Sequence, residues 1–348
     1  IDRTRYVFGV KDYVRYRMTG EARAEITDIS GSNLVNLATA SYDGELLARF
    51  GLERVADLLP PLTYSAEFCG QVTPECAAQT GLLSGMPVAA GLFDIDACAI
   101  AMDITGGDRL AAIAGTWSIN EYISAAPVMS GGVKMNSLYC LPGWYLVEEC
   151  SPTSASNHDW FVRQILRGAL PAGADAYGAA NDLAAAIEPE DSPVIFLPYL
   201  YGGSDDAAAT AAFAGLQSHH TAAHMLRAVY EGVAFGHRLH IRRLLDSRSQ
   251  PPAAVRLAGG VVRSPMWVQM FADILELPVE TVAADELGAL GAAMTAAVAA
   301  GAYADLAQAA GAMTRVEKVY RPNAALAPIY RQKFDRFMKV RRALGEIQ

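Results

Sequence analysis

The stretch Val255-Arg256-Leu257-Ala258-Gly259-Gly260-Val261-Val262-Arg263-Ser264-Pro265 constrains the fold more than any other part of the chain. A short apolar strand, Val255 to Ala258, runs into two glycines that leave the backbone free to turn. Ser264 supplies an N-cap and Pro265 the first helical position, so a helix begins there and continues to Leu275. The alternation recurs along the sequence. Strand-like runs are read at Pro87–Asp94, Leu110–Ala114, Ile119–Ser124, Trp144–Glu148 and Val194–Leu200. Helical patterns are read at Val7–Met18, Ile95–Met102, from about 157 to 170, and from Ala222 to about Leu245 behind a Thr221 cap. Strands alternating with helices through glycine turns predict an α/β architecture. Thr105-Gly106-Gly107-Asp108 is the best hinge, which divides the chain into residues 1–106 and 107–348.

Composition narrows the function. At 348 residues, with 52% apolar and 19% charged side chains, the chain is long enough for two domains and ordinary for an enzyme. A net charge of -9 argues against nucleic acid, which needs a clustered basic face. The five cysteines form no Cys-x-x-Cys pair and read as reduced thiols of a cytoplasmic protein. The longest apolar run, Leu287–Ala300, falls short of the roughly 20 residues that span a membrane. Ile1-Asp2-Arg3-Thr4 leads at once into a helical pattern, as though the chain were entered partway through a domain.

Several residues are candidates for chemistry. Asp94 follows an apolar run and precedes a helical one; a carboxylate there either caps the helix or takes a proton in a reaction. Gly115-Thr116 closes a second apolar strand with a small hydroxyl-bearing turn suited to phosphate, or simply to a tight hairpin. Gly259-Gly260 offers exposed amides to a nucleotide, and equally a strand-to-helix turn; no Walker sequence accompanies it. The glycines and alanines of Gly288–Ala293 permit close helix approach. His220/His224 and His237/His240, with Glu231 between, have spacings a metal could use, but lining one helix face is the simpler reading. The stretch from Tyr330 to Arg342 interleaves basic and aromatic residues as a docked amphipathic helix with a solvated basic face.

In their order these segments resemble the FGGY family of carbohydrate kinases. The pieces are Lys11-Asp12-Tyr13 through Thr19-Gly20, Gly91-Leu92-Phe93-Asp94, Gly115-Thr116-Trp117, Phe196 through Gly202, Arg227 through Phe235, Leu257-Ala258-Gly259-Gly260, and Gly288 through Ala293. Gly-Leu-Phe-Asp, Gly-Thr-Trp and Glu149-Cys150-Ser151-Pro152-Thr153-Ser154 look most like the L-xylulose kinase branch. The resemblance implies two actin-like (ribonuclease H-like) domains flanking a cleft, with ATP and Mg²⁺ as cofactors. It implies phosphorylation of a keto-sugar, L-xylulose or a related ketopentose. Asp94 matches the family's general base, and Phe93 and Trp117 lie where sugar contacts are expected. Gly115, Thr116, Gly202, Gly259, Gly260, Val261 and Ser264 match nucleotide-binding positions, while no residue is matched to a protein-held metal. The family's opening Asp-x-Gly-Thr hairpin has no counterpart after Ile1, so the first domain is expected to be incomplete at its N-terminus. A catalytically inactive sugar or nucleotide binder of the same fold is the alternative, and a metal hydrolase built on the histidine pairs is a third reading. The docked C-terminal helix is compatible with a homodimer.

Overall fold

Side chains along residues 109–151 alternate between two burial environments, and this alternation builds the sheet on which the molecule is organised. The computed structural model describes residues 3–129 and 132–346; the Ile1-Asp2 opening lies outside them. In chain order the strands of the central sheet are β1 (Arg109–Ala114), β2 (Ser118–Ser124), β3 (Met135–Leu138), β4 (Tyr145–Ser151), β5 (Ala254–Ala258), β6 (Val279–Val282) and β7 (Val316–Tyr320). Their spatial order is β7-β6-β5-β1-β2-β4-β3. The β1–β5 and β5–β6 pairs are parallel and the others antiparallel.

The helices that matter for the site are α1 (Val10–Thr19), α2 (Asp94–Ala101), α3 (Ser156–Phe161), α4 (Ala222–Asp246), α5 (Pro265–Leu275), α6 (Leu287–Ala299), α7 (Leu306–Met313) and α8 (Ala327–Gly345). One sheet face presents Leu110, Ala112, Tyr122, Val147, Val255 and Leu257 to α4, α5 and α8. The other presents Ala111, Ile123, Leu146 and Ala258 to α2, α6 and α7. The α/β class read from the sequence holds, with helices on both faces of one mixed sheet.

Some boundaries differ, for local reasons. The run at Pro87–Asp94 is not one buried strand. Only Pro87–Ala89 is extended, half-exposed in a two-stranded ribbon with Phe68–Gln71. Gly91 at φ 87° breaks the direction, the Arg15 guanidinium takes the Ala90 carbonyl, and Asp94 opens α2 instead of ending a strand. Likewise Val194–Leu200 shortens to Ile195–Leu197, because Pro198 has no N–H to continue the ladder. The stretch after Ser156 begins as α-helix, passes through a π turn at Val162–Leu166 and ends in a 3₁₀ turn at Arg167–Ala169.

The glycine-rich helix α6 does what its composition predicts. A Cβ on Gly291 would come 2.1 Å from the Ala97 carbonyl oxygen of α2, closer than any side chain tolerates. Gly291→Ala is therefore expected to lower stability by about 1–3 kcal/mol, read as an earlier urea midpoint; an unmoved midpoint would mean the two helices part without cost. The C-terminal helix docks as expected through Tyr330, Phe334 and Phe337. Its basic face is not wholly solvated. Lys333 is buried against Glu231, which also holds Arg227 at 2.9 Å. Among the described residues no helix is long and apolar enough to cross a membrane.

Candidate active site

Asp94 is the first residue of α2, and one of its carboxylate oxygens accepts the Ile95 amide at 2.9 Å. The carboxylate is exposed. The preceding residue, half-buried Phe93, is pinned from a distance. Its N–H donates to Thr27 Oγ1 at 2.9 Å, and Thr27 in turn donates to Glu25 at 2.8 Å. Glu25 is fully buried and also receives Lys11 at 2.9 Å and the Ser65 hydroxyl at 2.7 Å. The network thus runs from Lys11 through Glu25 and Thr27 to the Phe93 amide, next to Asp94 in the chain.

Asp28 lies beside the same group, and burial pushes its carboxyl above the ordinary range, with Lys11 opposing and Asp12, Glu25 and Asp94 adding to the effect. The sequence reading did not single out Glu25, Thr27 or Asp28. A Glu-Ile-Thr-Asp run gives no local signal that its side chains will meet a glycine loop more than sixty residues away.

At the hairpin that joins β1 to β2 lies a cavity of about 550 Å³. Gly115, Thr116, Gly260 and Ser264, four of the residues expected to bind nucleotide, line it together. Gly259 does not line it but fastens its wall. At φ 92° and ψ −172° it turns the chain so closely onto β1 that a Cβ would sit 2.3 Å from the Ala114 carbonyl oxygen. Ser264 caps α5 by accepting the Trp267 amide at 3.3 Å. Val261, also expected at this site, points into the core and is fully buried; the 3₁₀ turn over Gly260–Arg263 rotates it inward. Gly202 belongs to a neighbouring loop, whose Gly203 lines a separate cavity of about 230 Å³. Trp117 stands 51% exposed at the hairpin tip and does not wall the larger cavity.

The far end of that cavity is made by residues that the sequence left unassigned. Asp159 is held by Arg163 at 3.0 Å and by the Tyr177 hydroxyl, and Asn181 accepts the Tyr230 hydroxyl at 2.8 Å. His158 forms part of the wall between Tyr230 and Trp267, and burial lowers its pKa to about 4, so it is neutral. These groups come from separate turns and helices, and only tertiary packing assembles them.

Behind the hairpin, His237 ties two cavity-lining segments together. Burial first, and His240 nearby, lower its pKa to about 3. The neutral ring meets Asn120 Oδ1 at 2.7 Å and Ser118 Oγ at 3.2 Å through Nδ1. Its Nε2 takes the Ser154 hydroxyl at 2.8 Å. Both ring nitrogens are engaged, so the His237/His240 pair is no metal site; His240 pairs with Glu149 at 3.1 Å. His220 and His224 use Nδ1 to accept the Gln217 and Thr221 amides at 2.9 and 3.2 Å. Among the described residues no three His, Cys, Asp or Glu side chains come together as a metal cage.

Known proteins are similar to this chain. The chain is 37% identical over 342 residues to a probable L-xylulose kinase of Pasteurella multocida, covering 96% of this chain and 66% of that relative. It is 34% identical over 340 residues to the L-xylulose/3-keto-L-gulonate kinase of Escherichia coli K12, with the same coverage of 96% and 66%. It thus spans a little under two thirds of the length of these relatives. A ligand-bound xylulose kinase from Lactobacillus acidophilus superimposes with a TM-score of 0.87 at 26% identity, over 98% of this chain and 68% of that one. Residues 1–101 match the N-terminal domain, and residues 110–300 the C-terminal domain, of one family, in the order and with the two-domain, actin-like fold that the sequence predicts. The chain belongs to the FGGY family of carbohydrate kinases.

Proposed function

We propose that the protein is an ATP-dependent kinase that transfers the γ-phosphoryl group to a hydroxyl of a keto-sugar, L-xylulose or a related ketopentose. The observation that carries this reading is the convergence of Gly115, Thr116, Gly260 and Ser264 on one cavity. The names of the relatives, L-xylulose kinase and L-xylulose/3-keto-L-gulonate kinase, supply the substrate class. In this reading residues 1–106 are the sugar-side domain and 107–348 the nucleotide-side domain, a division supported by family matches that stop at 101 and resume at 110.

Asp94 acts as general base. Its exposed carboxylate, oriented by the Ile95 amide, accepts the proton of the sugar hydroxyl as that oxygen bonds to the γ-phosphorus and ADP departs. The small Gly115-Thr116 turn and the turn at Gly260 let phosphate approach backbone amides closely. The end of the cavity near Tyr177 and Asn181 is left for the base and ribose. Phe93 and Trp117 are assigned to the sugar side, and Gly202, on its separate loop, to the rim of the phosphate path. Mg²⁺ is read as part of the substrate, carried by the nucleotide phosphates.

Release of ADP on mixing the intact protein with MgATP and L-xylulose, followed by a coupled assay, tests the reading. ATP binding by calorimetry without phosphorylation of any keto-sugar would instead favour the inactive binder.

A further inference from the structure

The far end of the cavity of about 550 Å³ carries a side chain whose hydrogen-bonding capacity is only partly used. Asn181 lies in the helix Ala176–Ala185, four residues after Tyr177, so the two share one helix face, and both line the cavity. Asp175 fixes the start of that helix by accepting the Tyr177 and Gly178 amides at 3.1 and 3.0 Å. A side-chain amide has two N–H donors and two carbonyl lone pairs. One lone pair of Asn181 Oδ1 accepts the Tyr230 hydroxyl at 2.8 Å. Among the described residues, Nδ2 has no hydrogen-bond partner.

Tyr230 sets which end of that amide is which. The residue is fully buried, its ring 4.4 Å from Trp267 and 4.7 Å from His158 between centroids, and its backbone carbonyl accepts the Trp267 indole N–H at 3.0 Å. Turning the amide over would make the hydroxyl an acceptor and leave its own proton unpaired, which is costly in a buried place. Held as it is, the amide presents to the cavity an N–H donor beside a carbonyl with one lone pair to spare. The N6/N7 edge of adenine offers the complementary pattern, an amino donor beside a ring-nitrogen acceptor. Guanine offers two acceptors on the same edge, O6 and N7, and would set O6 against Oδ1.

We propose that Asn181, oriented by Tyr230, selects adenine over guanine in the nucleotide, taking the N6 amino group at Oδ1 and donating from Nδ2 to N7. The proposal rests on the reading of this cavity as the nucleotide site. Tyr177, one turn earlier on the same helix face, is 44% exposed and its hydroxyl is tied to Asp159, so its ring is a fixed flat wall beside the amide. Stacking on such a ring tolerates any base, and the choice between bases therefore falls to the amide. Tyr230 is a positioning residue: it does not line the cavity and reaches the base only through Asn181.

Calorimetric titration of the intact protein with the Mg²⁺ complexes of ATP, GTP and tubercidin triphosphate, an ATP analogue with C–H in place of N7, tests this without turnover. The wild type is expected to bind ATP roughly 5- to 150-fold more tightly than GTP. It should also bind ATP more tightly than the analogue. Asn181→Ala should weaken ATP and bring the ATP and GTP affinities together. Tyr230→Phe leaves Asn181 in place but frees its amide to turn, so the preference should narrow there too. A role in packing alone would weaken both nucleotides by the same factor, and that result would overturn the proposal. If Asn181→Ala fails to fold, Asn181→Asp still accepts from Tyr230 but cannot donate, and it should erase the difference between ATP and the analogue. A difference that persists in Asn181→Asp would also overturn the proposal. A wild type that binds all three nucleotides equally removes the base assignment and leaves the nucleotide reading of the cavity standing. A wild type that binds none of them sinks both.

Discussion

Asp94→Asn is expected to lower kcat for keto-sugar phosphorylation by roughly 10²–10⁴-fold, a barrier increase of about 2.7–5.5 kcal/mol. The change keeps the shape of the side chain and its acceptance of the Ile95 amide at 2.9 Å, so the start of α2 survives. What it removes is proton affinity. ATP affinity should change little, because Asp94 does not line the cavity that holds Gly115, Thr116 and Gly260. Turnover within a few-fold of wild type would show that the hydroxyl loses its proton elsewhere. Weakened ATP binding with unchanged kcat would place Asp94 on the phosphates instead. Slow residual turnover is compatible with the assignment, since positioning of the two substrates contributes to the rate independently of the base.

Much of the frame behind that prediction was legible in the sequence, because it is encoded locally. Ser264-Pro265 and Thr221 mark helix starts through side chains that act within one turn, and both helices begin there. Gly291 announced close helix approach by composition alone, and the approach is found against Ala97. What was not legible depends on contacts distant in sequence. Pro87–Asp94 reads as a continuous apolar strand until the Arg15 guanidinium takes the Ala90 carbonyl and Gly91 turns the chain. Val261 looks like part of a ligand turn, and only the twist of the 3₁₀ segment sends it into the core. Glu121 sits in Ser-Ile-Asn-Glu-Tyr-Ile-Ser, where alternation implies one solvated face. Both faces are covered, by α4 on one side and α2 on the other, and a residue that would have been a surface charge becomes a buried acid.

Gly259→Ala should damage the nucleotide side, by a route different from the loss of the base in Asp94→Asn. The φ of 92° and ψ of −172° place Gly259 in a region of backbone space essentially restricted to glycine, where another residue costs about 1–3 kcal/mol. The methyl group would also have to occupy a point 2.3 Å from the Ala114 carbonyl oxygen and 3.0 Å from the Gly115 nitrogen. Those atoms belong to β1 and to the β1–β2 hairpin, so the strain cannot be relieved by rotating a side chain. Either the turn lifts off β1 or the hairpin moves. Both outcomes separate Gly115 and Thr116 from Gly260 and Ser264, the four residues whose shared cavity supports the kinase reading. The expected result is a KM for ATP raised at least tenfold, corresponding to about 1.4 kcal/mol or more, alongside a lowered unfolding midpoint. KM for the sugar should move much less. Gly260→Ala is the control. A Cβ there meets nothing within 4 Å, and Gly260 is not among the positive-φ residues. Its effect should be confined to ligand approach, with stability close to wild type. Equal and small effects of the two substitutions on ATP binding would mean that the cavity is not where the nucleotide lies.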